Sequence, residues 1–218
     1  TNPLRGLEAA IVPMNVVLGL AVFFLARSLA SMYFINSISD EQIEARSRKQ
    51  VLLNAVSFLL LFLFFMGYLM VKKGYAVDPV TQEVSLIKAK YFHNLLEMPV
   101  VSIIMLLGVV SLLYGIIRTV LQKTFKKGIW FAGTGTVATV LGLFLIAGWN
   151  NTAYYPSNAD LQSSLTIFNS SSSFFTLKVM SIVSLLVPFV FAYIFYTWRA
   201  INKTQIDAAE MDSGDHKY

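Results

Sequence analysis

The chain has 218 residues, of which 56% are hydrophobic and only 13% are charged. Soluble domains average about a quarter charged residues, and their helices carry one apolar face rather than apolar residues all round. The composition therefore excludes an ordinary soluble domain and favours a membrane protein. The absence of cysteine excludes disulfides, thiolate metal sites and haem–thiolate ligation. The net charge of +5 is spread over short loops, which is typical of a topology signal rather than of a nucleic-acid-binding surface.

Five apolar runs are long enough to cross a bilayer, because about 20 residues at a rise of about 1.5 Å cover its ~30 Å hydrocarbon core. In chain order, spans A to E are predicted at residues 7–34, 51–71, 94–121, 129–149 and 174–198. They predict an all-α integral membrane protein in which four transmembrane helices form a bundle and one helix is peripheral. Residues 1–203 would form this transmembrane helical domain, and residues 204–218 a polar cytoplasmic tail.

Span A contains one internal charge, Arg27, near its far interface. We expect this side chain to extend to the membrane surface or to pair with a loop carboxylate, because a charge at the bilayer centre is costly. Residues 36–50 carry charges of mixed sign and predict a solvated turn before span B. Residues 74–92 predict a short hairpin or a surface helix, and the sequence leaves both possibilities open.

The start of span C has two interpretations. Asn94 and Glu97 have the spacing of a capping box, in which Glu97 would bond back to the Asn94 backbone. The alternative is that His93 and Glu97 form a proton-handling pair at a membrane pocket. The cap is favoured, because caps are common and catalytic pairs within membranes are rare.

Span D carries small residues at three- and four-residue spacing, namely Gly135, Ala138, Thr139 and Gly142. Such a face predicts close packing against another helix. The run Gly133–Thr134–Gly135 lies inside an apolar span with no preceding strand, so a nucleotide-binding loop is excluded. The long polar stretch that follows, residues 150–173, is expected to pack on the helix ends through four of its side chains: Tyr154, Tyr155, Leu165 and Phe168.

Span E begins with a built-in cap and ends on aromatic and basic residues. Ser170–Ser173 offer oxygens to the unpaired N–H groups of a helix start. Lys178 is the only charge in the span and lies close enough to its start to reach the membrane surface. Pro188 lies mid-span and predicts a kink. Tyr193, Tyr196, Trp198, Arg199 and Lys203 form the exit.

Three segments carry a family resemblance. The run SLTIFNSSSSFFTLKVM (residues 164–180), followed by Pro188 and the aromatic exit, resembles the last helix of subunit II of cytochrome bd, the bacterial quinol oxidase. Tyr155–Pro156–Ser157 is similar to the "YP" segment upstream of that helix. Asn2–Pro3 before an apolar helix is similar to the "NPF" that opens the second half of that subunit. On this resemblance the family's first four helices are missing, and since the first residue is Thr1, a fragment is expected.

The resemblance implies a non-catalytic subunit of a cytochrome bd-type respiratory quinol:oxygen oxidoreductase, which reduces oxygen to water. The family's haems (two b-type and one d-type) and its quinol-oxidation site belong to subunit I, the haem-bearing partner in a heterodimer. Quinol would be the substrate of the complex, and membrane lipid and quinone the other expected contacts. In the alternative interpretation of the start of span C, His93 and Glu97 would form a proton-handling pair at a quinol pocket.

The residues themselves predict no chemistry in this chain. The only histidines are His93, at the mouth of a span, and His216, in the tail. Haem iron in a membrane bundle needs axial His or Met from facing helices, and the scattered methionines are typical packing residues. The methionines weighed as haem ligands are Met66, Met70, Met105 and Met180. We therefore predict no catalytic, cofactor-binding or metal-binding residue in this chain.

The distribution of Lys and Arg predicts the orientation. The side that holds the A–B loop, the C–D loop and the tail has 11 of the 17 basic residues, and the other side has 6. The C-terminus is therefore expected in the cytoplasm, in a multi-pass protein of the bacterial inner membrane. The rival functions are half of a multi-span solute transporter and a membrane scaffold with no redox partner. A transporter is disfavoured because only one span is broken and the charges lie near the interfaces.

Overall fold

The computed structural model describes residues 10–157 and 159–201. Five of its helical segments are long and apolar enough to cross a membrane, which confirms the predicted all-α membrane protein. The predicted tail and the first three residues of predicted span A lie outside the described residues. The elements are α1 Pro13–Ser37, α2 Glu41–Val71, β1 Lys73–Val77, β2 Val84–Lys88, α3 Lys90–Glu97, α4 Pro99–Leu121, α5 Gly128–Gly148, α6 Ile167–Ser170, α7 Phe174–Ser184 and α8 Val187–Ile201.

The connection between α1 and α2 is much shorter than predicted. α1 begins at Pro13, where a proline fits the first helical turn, and it ends at Ser37. α2 already begins at Glu41, because the Asp40 carboxylate accepts a hydrogen bond from the Ile43 N–H at 2.8 Å. Residues 41–50 are mostly good helix formers and continue the helix into the apolar run. The prediction of a solvated turn over residues 36–50 was therefore wrong.

Residues 73–97 contain both of the structures that the sequence left open. β1 and β2 pair as an antiparallel hairpin, with Lys73 opposite Lys88 and Val77 opposite Val84. The short helix α3 follows directly. α4 begins at Pro99 rather than at residue 94, because Met98 has a non-helical ψ of 71° and the helical region is disfavoured for the residue before a proline. Asn94 therefore lies inside α3, and the predicted capping box at the start of span C was wrong.

Four spans form two helical hairpins. α1 packs along α2, and α4 packs along α5, while contacts of α1 with α5 and of α2 with α4 join the two hairpins. A buried apolar cluster fills the space between them, with members on all four helices: Ala21, Leu25, Met32, Ile35, Val51, Ala55, Phe58, Leu112, Ile116 and Ala132. These contacts place the core between the hairpins. The closed four-helix bundle stays a prediction.

The fifth span is broken where the proline predicts it. α7 ends at Ser184 and α8 begins at Val187. At the break, the Leu185 N–H bonds to the Ile182 carbonyl at 3.1 Å and the Leu186 N–H to the Val183 carbonyl at 3.0 Å, which is 3₁₀ rather than α geometry. Pro188 causes this, since it has no N–H and its ring clashes with the preceding turn. The span starts at the predicted cap, where the Ser173 hydroxyl accepts from the Thr176 N–H.

The fifth span has little contact with the other spans. Its most apolar window is 0% buried. Near its end, the Trp198 ring lies 6.1 Å from the Tyr33 ring of α1. Within the described chain, this span therefore leaves almost its whole apolar surface uncovered.

Residues 150–173 lie on the helix ends, but of the four side chains that we expected to pack there only Tyr154 is seen against a helix end, beside Gly148 of α5. A bridge between Ala76 and Thr152 holds the segment against β1, and a second bridge, between Tyr155 and Leu165, lies within the segment. Small residues of the segment are buried, namely Thr152, Ala153, Ser164 and Thr166. The four predicted packing residues are instead exposed, from 39% for Leu165 to 70% for Phe168. Backbone pairing places small residues inward, which the side-chain types alone did not reveal.

Candidate functional site

The described part of the chain contains no group of three or more His, Asp or Glu that could hold a metal ion. Two hydrogen-bonded groups of polar side chains lie at opposite ends of the helical hairpins. One end has a network around Asn94, and the other a cluster around Arg48. Between these two ends, α4 and α5 approach each other closely, because glycines of α5 such as Gly135 and Gly142 lie at their contact.

Asn94 is the centre of the first polar network. It is fully buried, and its side-chain amide donates to the Ile146 carbonyl at 2.8 Å and to the Thr152 hydroxyl at 2.9 Å. Its side-chain oxygen accepts from the Asn150 amide at 3.2 Å. Because α3 crosses over the end of α5, Asn94 satisfies a terminal carbonyl of α5 instead of capping α4.

Glu97 and Lys90 extend this network to the surface. The Asn150 amide donates to Glu97 Oε2 at 2.5 Å, and Lys90 Nζ donates to the Asn150 carbonyl at 3.0 Å. Burial lowers the pKa of Lys90, and the Glu97 carboxylate partly opposes this effect. Among the described residues, Glu97 accepts from Asn150 and not from His93, whose exposed ring lies 6.5 Å from the Phe92 ring. The structure thus does not join His93 and Glu97 by a hydrogen bond.

The second polar group, the Arg48 cluster, consists of Arg48, Glu44 and Lys126. The Arg48 guanidinium extends from α2 to the end of α4, where it donates to the carbonyls of Thr119, of Gln122 at 3.0 Å and of Lys123 at 2.6 Å. It also pairs with Glu44 at 2.6 Å, and Glu44 pairs with Lys126 at 3.2 Å.

A cation at a helix C-terminus satisfies the free carbonyls and the negative end of the helix dipole. The Arg48 cluster therefore ties the two hairpins together. The sequence alone did not reveal this cluster, because the mixed charges of residues 36–50 are equally typical of a solvated turn. The i, i+4 spacing of Glu44 and Arg48 was the available signal.

The predicted small-residue face of span D is a close-packing face, and its partner is α4. A Cβ added at Gly135 would lie 2.4 Å from the Leu112 nitrogen and 2.6 Å from the Gly108 carbonyl oxygen. At Gly142 it would lie 2.6 Å from the Met105 Cβ. This face is therefore covered by α4 of the same chain and is not available to another subunit.

Arg27 and Lys178, the charges that the sequence placed inside spans A and E, lie at exposed positions. The Arg27 guanidinium lies 5.5 Å from the centre of the Phe23 ring, and no carboxylate of the described residues is within ion-pair distance of it. Lys178 is exposed close to the start of α7. Pairing of Arg27 with a loop carboxylate is therefore not seen in this part of the chain.

Comparison with known proteins agrees with the features described above. The model of the family described as cytochrome bd terminal oxidase subunit II matches residues 3–201. A probable cytochrome oxidase subunit 2 of Haemophilus influenzae is 27% identical over 191 residues, and this alignment covers 82% of the chain and 49% of the relative. The chain thus spans about half the length of the curated relative that it matches. With a match over nearly its whole length and five membrane-spanning helices, the chain belongs to the cytochrome bd terminal oxidase subunit II family.

Proposed function

We propose that this chain is a non-catalytic subunit of a cytochrome bd-type quinol:oxygen oxidoreductase. It would support a haem-bearing subunit that oxidises quinol and reduces oxygen to water. The observation that carries the proposal is the family match over residues 3–201. The role of support follows from the residues, because none of the five spans contains a histidine.

The haems are assigned to the partner. Axial ligation in a membrane bundle requires His or Met side chains from facing helices. His93 lies on α3, outside the spans, and Met105 packs against Gly142 in the α4–α5 contact. Two b-type haems and one d-type haem would therefore lie in subunit I, with quinol as substrate of the complex and no cofactor held by this chain.

The fold supports a packing role. The Arg48 cluster and the glycine contact hold α2, α4 and α5 together, so that the two hairpins can act as one rigid body. The fifth span presents the largest apolar surface left for subunit I, further protein of the same subunit, or lipid. In a bilayer, helix association depends on such packing faces rather than on a hydrophobic driving force.

The proposed location is the bacterial inner membrane, with the C-terminus in the cytoplasm. The A–B and C–D loops and the tail share one side, and that side carries 11 of the 17 Lys and Arg residues. The positive-inside rule assigns this side to the cytoplasm. The end of the hairpins that carries the Arg48 cluster would then face the cytoplasm, and the Asn94 network the exterior.

Co-purification from native membranes tests the function. A tag on this chain should retain a haem protein, a reduced-minus-oxidised haem spectrum and quinol-dependent oxygen uptake. The chain purified alone should show no Soret band. A pull-down with neither haem protein nor quinol-dependent oxygen uptake would refute the oxidase proposal and return a transporter or scaffold to consideration.

A further inference from the structure

A pocket of about 330 Å³ lies between α1 and α2, toward the turn that connects them. We call it the Arg27–Arg46 pocket. Besides Ala30, its lining consists of Arg27, Ser31 and Phe34 of α1, and Arg46, Ser47 and Gln50 of α2. None of the lining residues is acidic, so two guanidinium groups share a cavity that contains no carboxylate.

The two arginines of the pocket differ from Arg48, their neighbour on α2. Arg48 is paired with Glu44 and donates to three backbone carbonyls. Neither Arg27 nor Arg46 has a carboxylate of the described residues within ion-pair distance. Two like charges at the edge of a low-dielectric region repel each other unless an anion lies between them. The pocket is therefore positively charged, as a site for an anion would be, and no carboxylate of the described residues balances that charge.

The polar groups around the arginines are suited to a phosphate. The Ser47 hydroxyl and the Gln50 side-chain amide add hydrogen-bond donors beside the two guanidinium groups. The Gln50 side-chain oxygen accepts from Asn54 at 3.3 Å, which leaves its NH₂ group for a ligand. Guanidinium groups bind phosphate oxygens with two parallel hydrogen bonds, which gives stronger recognition than an ammonium provides.

The pocket lies at the level of the helical hairpin where a lipid headgroup would be expected. Arg27 lies ten residues before the end of α1, which is about 15 Å along the helix, and Arg46 lies five residues after the start of α2, about 8 Å. The apolar run of α2 begins at Val51, at about the level of Arg27. The pocket thus lies across the boundary between the polar and apolar parts of the hairpin. Beside it, Phe23 and Leu53 expose about half of their surface, where an acyl chain would lie.

We propose that the Arg27–Arg46 pocket binds the phosphodiester headgroup of an anionic glycerophospholipid, with Arg27 and Arg46 on the phosphate oxygens. Basic pockets between transmembrane helices on the basic side of a protein have the geometry of such sites. The lipid's acyl chains continue along the exposed faces of α1 and α2, which a free phosphate cannot do. This inference rests on membrane residence alone and is independent of the oxidase function.

The test uses the assembly purified from native membranes through a tag on this chain. After delipidation it is titrated with phosphatidylglycerol, phosphatidylcholine or glycerol phosphate, and bound lipid is counted by native mass spectrometry. We expect a preference for phosphatidylglycerol that falls about fivefold in Arg46→Gln and is lost in the double variant with Arg27→Gln. Lys49→Gln removes a neighbouring exposed cation outside the pocket and should leave the preference unchanged.

Four results would overturn the proposal. Equal binding of the two lipids, or equal effects of Arg46→Gln and Lys49→Gln, would show that the attraction is not specific to this pocket. Competition by glycerol phosphate at the affinity of the intact lipid would make the pocket a site for free phosphate. Binding of phosphatidylglycerol only after removal of residues 204–218, which carry four acidic residues, would make the tail the occupant. Arg46 is exposed on the helix surface, so Arg46→Gln should leave the hairpin folded. Its lipid binding can therefore be measured even if Arg27→Gln disturbs the hairpin.

Discussion

Replacement of Gly135 by alanine tests the contact between α4 and α5 most directly. The added Cβ would lie 2.4 Å from the Leu112 nitrogen, 2.6 Å from the Gly108 oxygen and 2.9 Å from the Leu112 Cα. All three atoms belong to the backbone of α4, so no side chain can rotate away. Ordinary carbon contacts are about 3.5–4 Å, and the two helices must therefore separate by about 1 Å.

The expected energy follows from two opposing terms. Overpacking of this kind costs about 1–3 kcal/mol, and alanine recovers about 1 kcal/mol over glycine in a helix. Gly133→Ala is the matched control, because it has the same helix gain and its Cβ would meet nothing within 4 Å. The difference between the two variants removes the helix term and should be about 1–3 kcal/mol, which is roughly 5- to 150-fold in the unfolding equilibrium.

The assay is reversible unfolding of the tagged protein in detergent micelles or bicelles, followed by far-ultraviolet circular dichroism. Gly135→Ala should unfold at a lower denaturant concentration than Gly133→Ala, and Gly133→Ala should equal or exceed the parent. Equal stability of the two variants would refute the close contact at Gly135. The contact would also be refuted if Gly135→Ala were more stable than the parent by the full ~1 kcal/mol that alanine gains over glycine in a helix.

Three further predictions follow from the polar groups. Arg48→Lys keeps the charge, but its three N–H donors cannot replace the bonds of Arg48 to three carbonyls and to Glu44. We therefore expect a loss of about 1–3 kcal/mol in the same assay, with Lys49→Gln within about 0.5 kcal/mol of the parent. Asn94→Leu leaves the Ile146 carbonyl and Thr152 without their donor and should cost about 1–3 kcal/mol, while faster hydrogen exchange appears at the end of α5. Asp78 accepts from the N–H groups of Val80 and Thr81, which hold the pKa of its carboxyl below the usual value. Because a depressed carboxyl pKa stabilises the fold above the unfolded pKa, amide protection in the β-hairpin should decrease as pH falls through the folded value, and Asp78→Asn should abolish that pH dependence in hydrogen exchange.

Local properties of the chain determined the number and the character of the spans. An apolar run of about 20 residues must form a helix in a bilayer whatever its neighbours are, because its backbone groups have no other partners there. Two further features were equally local. Pro188 determined the break in the fifth span because it lacks an N–H, and Ser173 determined the start of that span because its hydroxyl caps the helix. The family resemblance also lay in local sequence, in residues 164–180.

Only the tertiary structure decided what each special residue contacts. Asn94 has the sequence context of a helix cap, yet α3 brings it over the end of α5. The small face of α5 was recognisable, but not its partner, since α4 and another subunit offer the same chemistry to it. Arg27 and Arg46 are 19 positions apart and face one pocket only because Asp40 begins α2 early and shortens the turn. Such pairings depend on where a turn ends and which helices lie side by side, and these are properties of the packed chain rather than of any single segment.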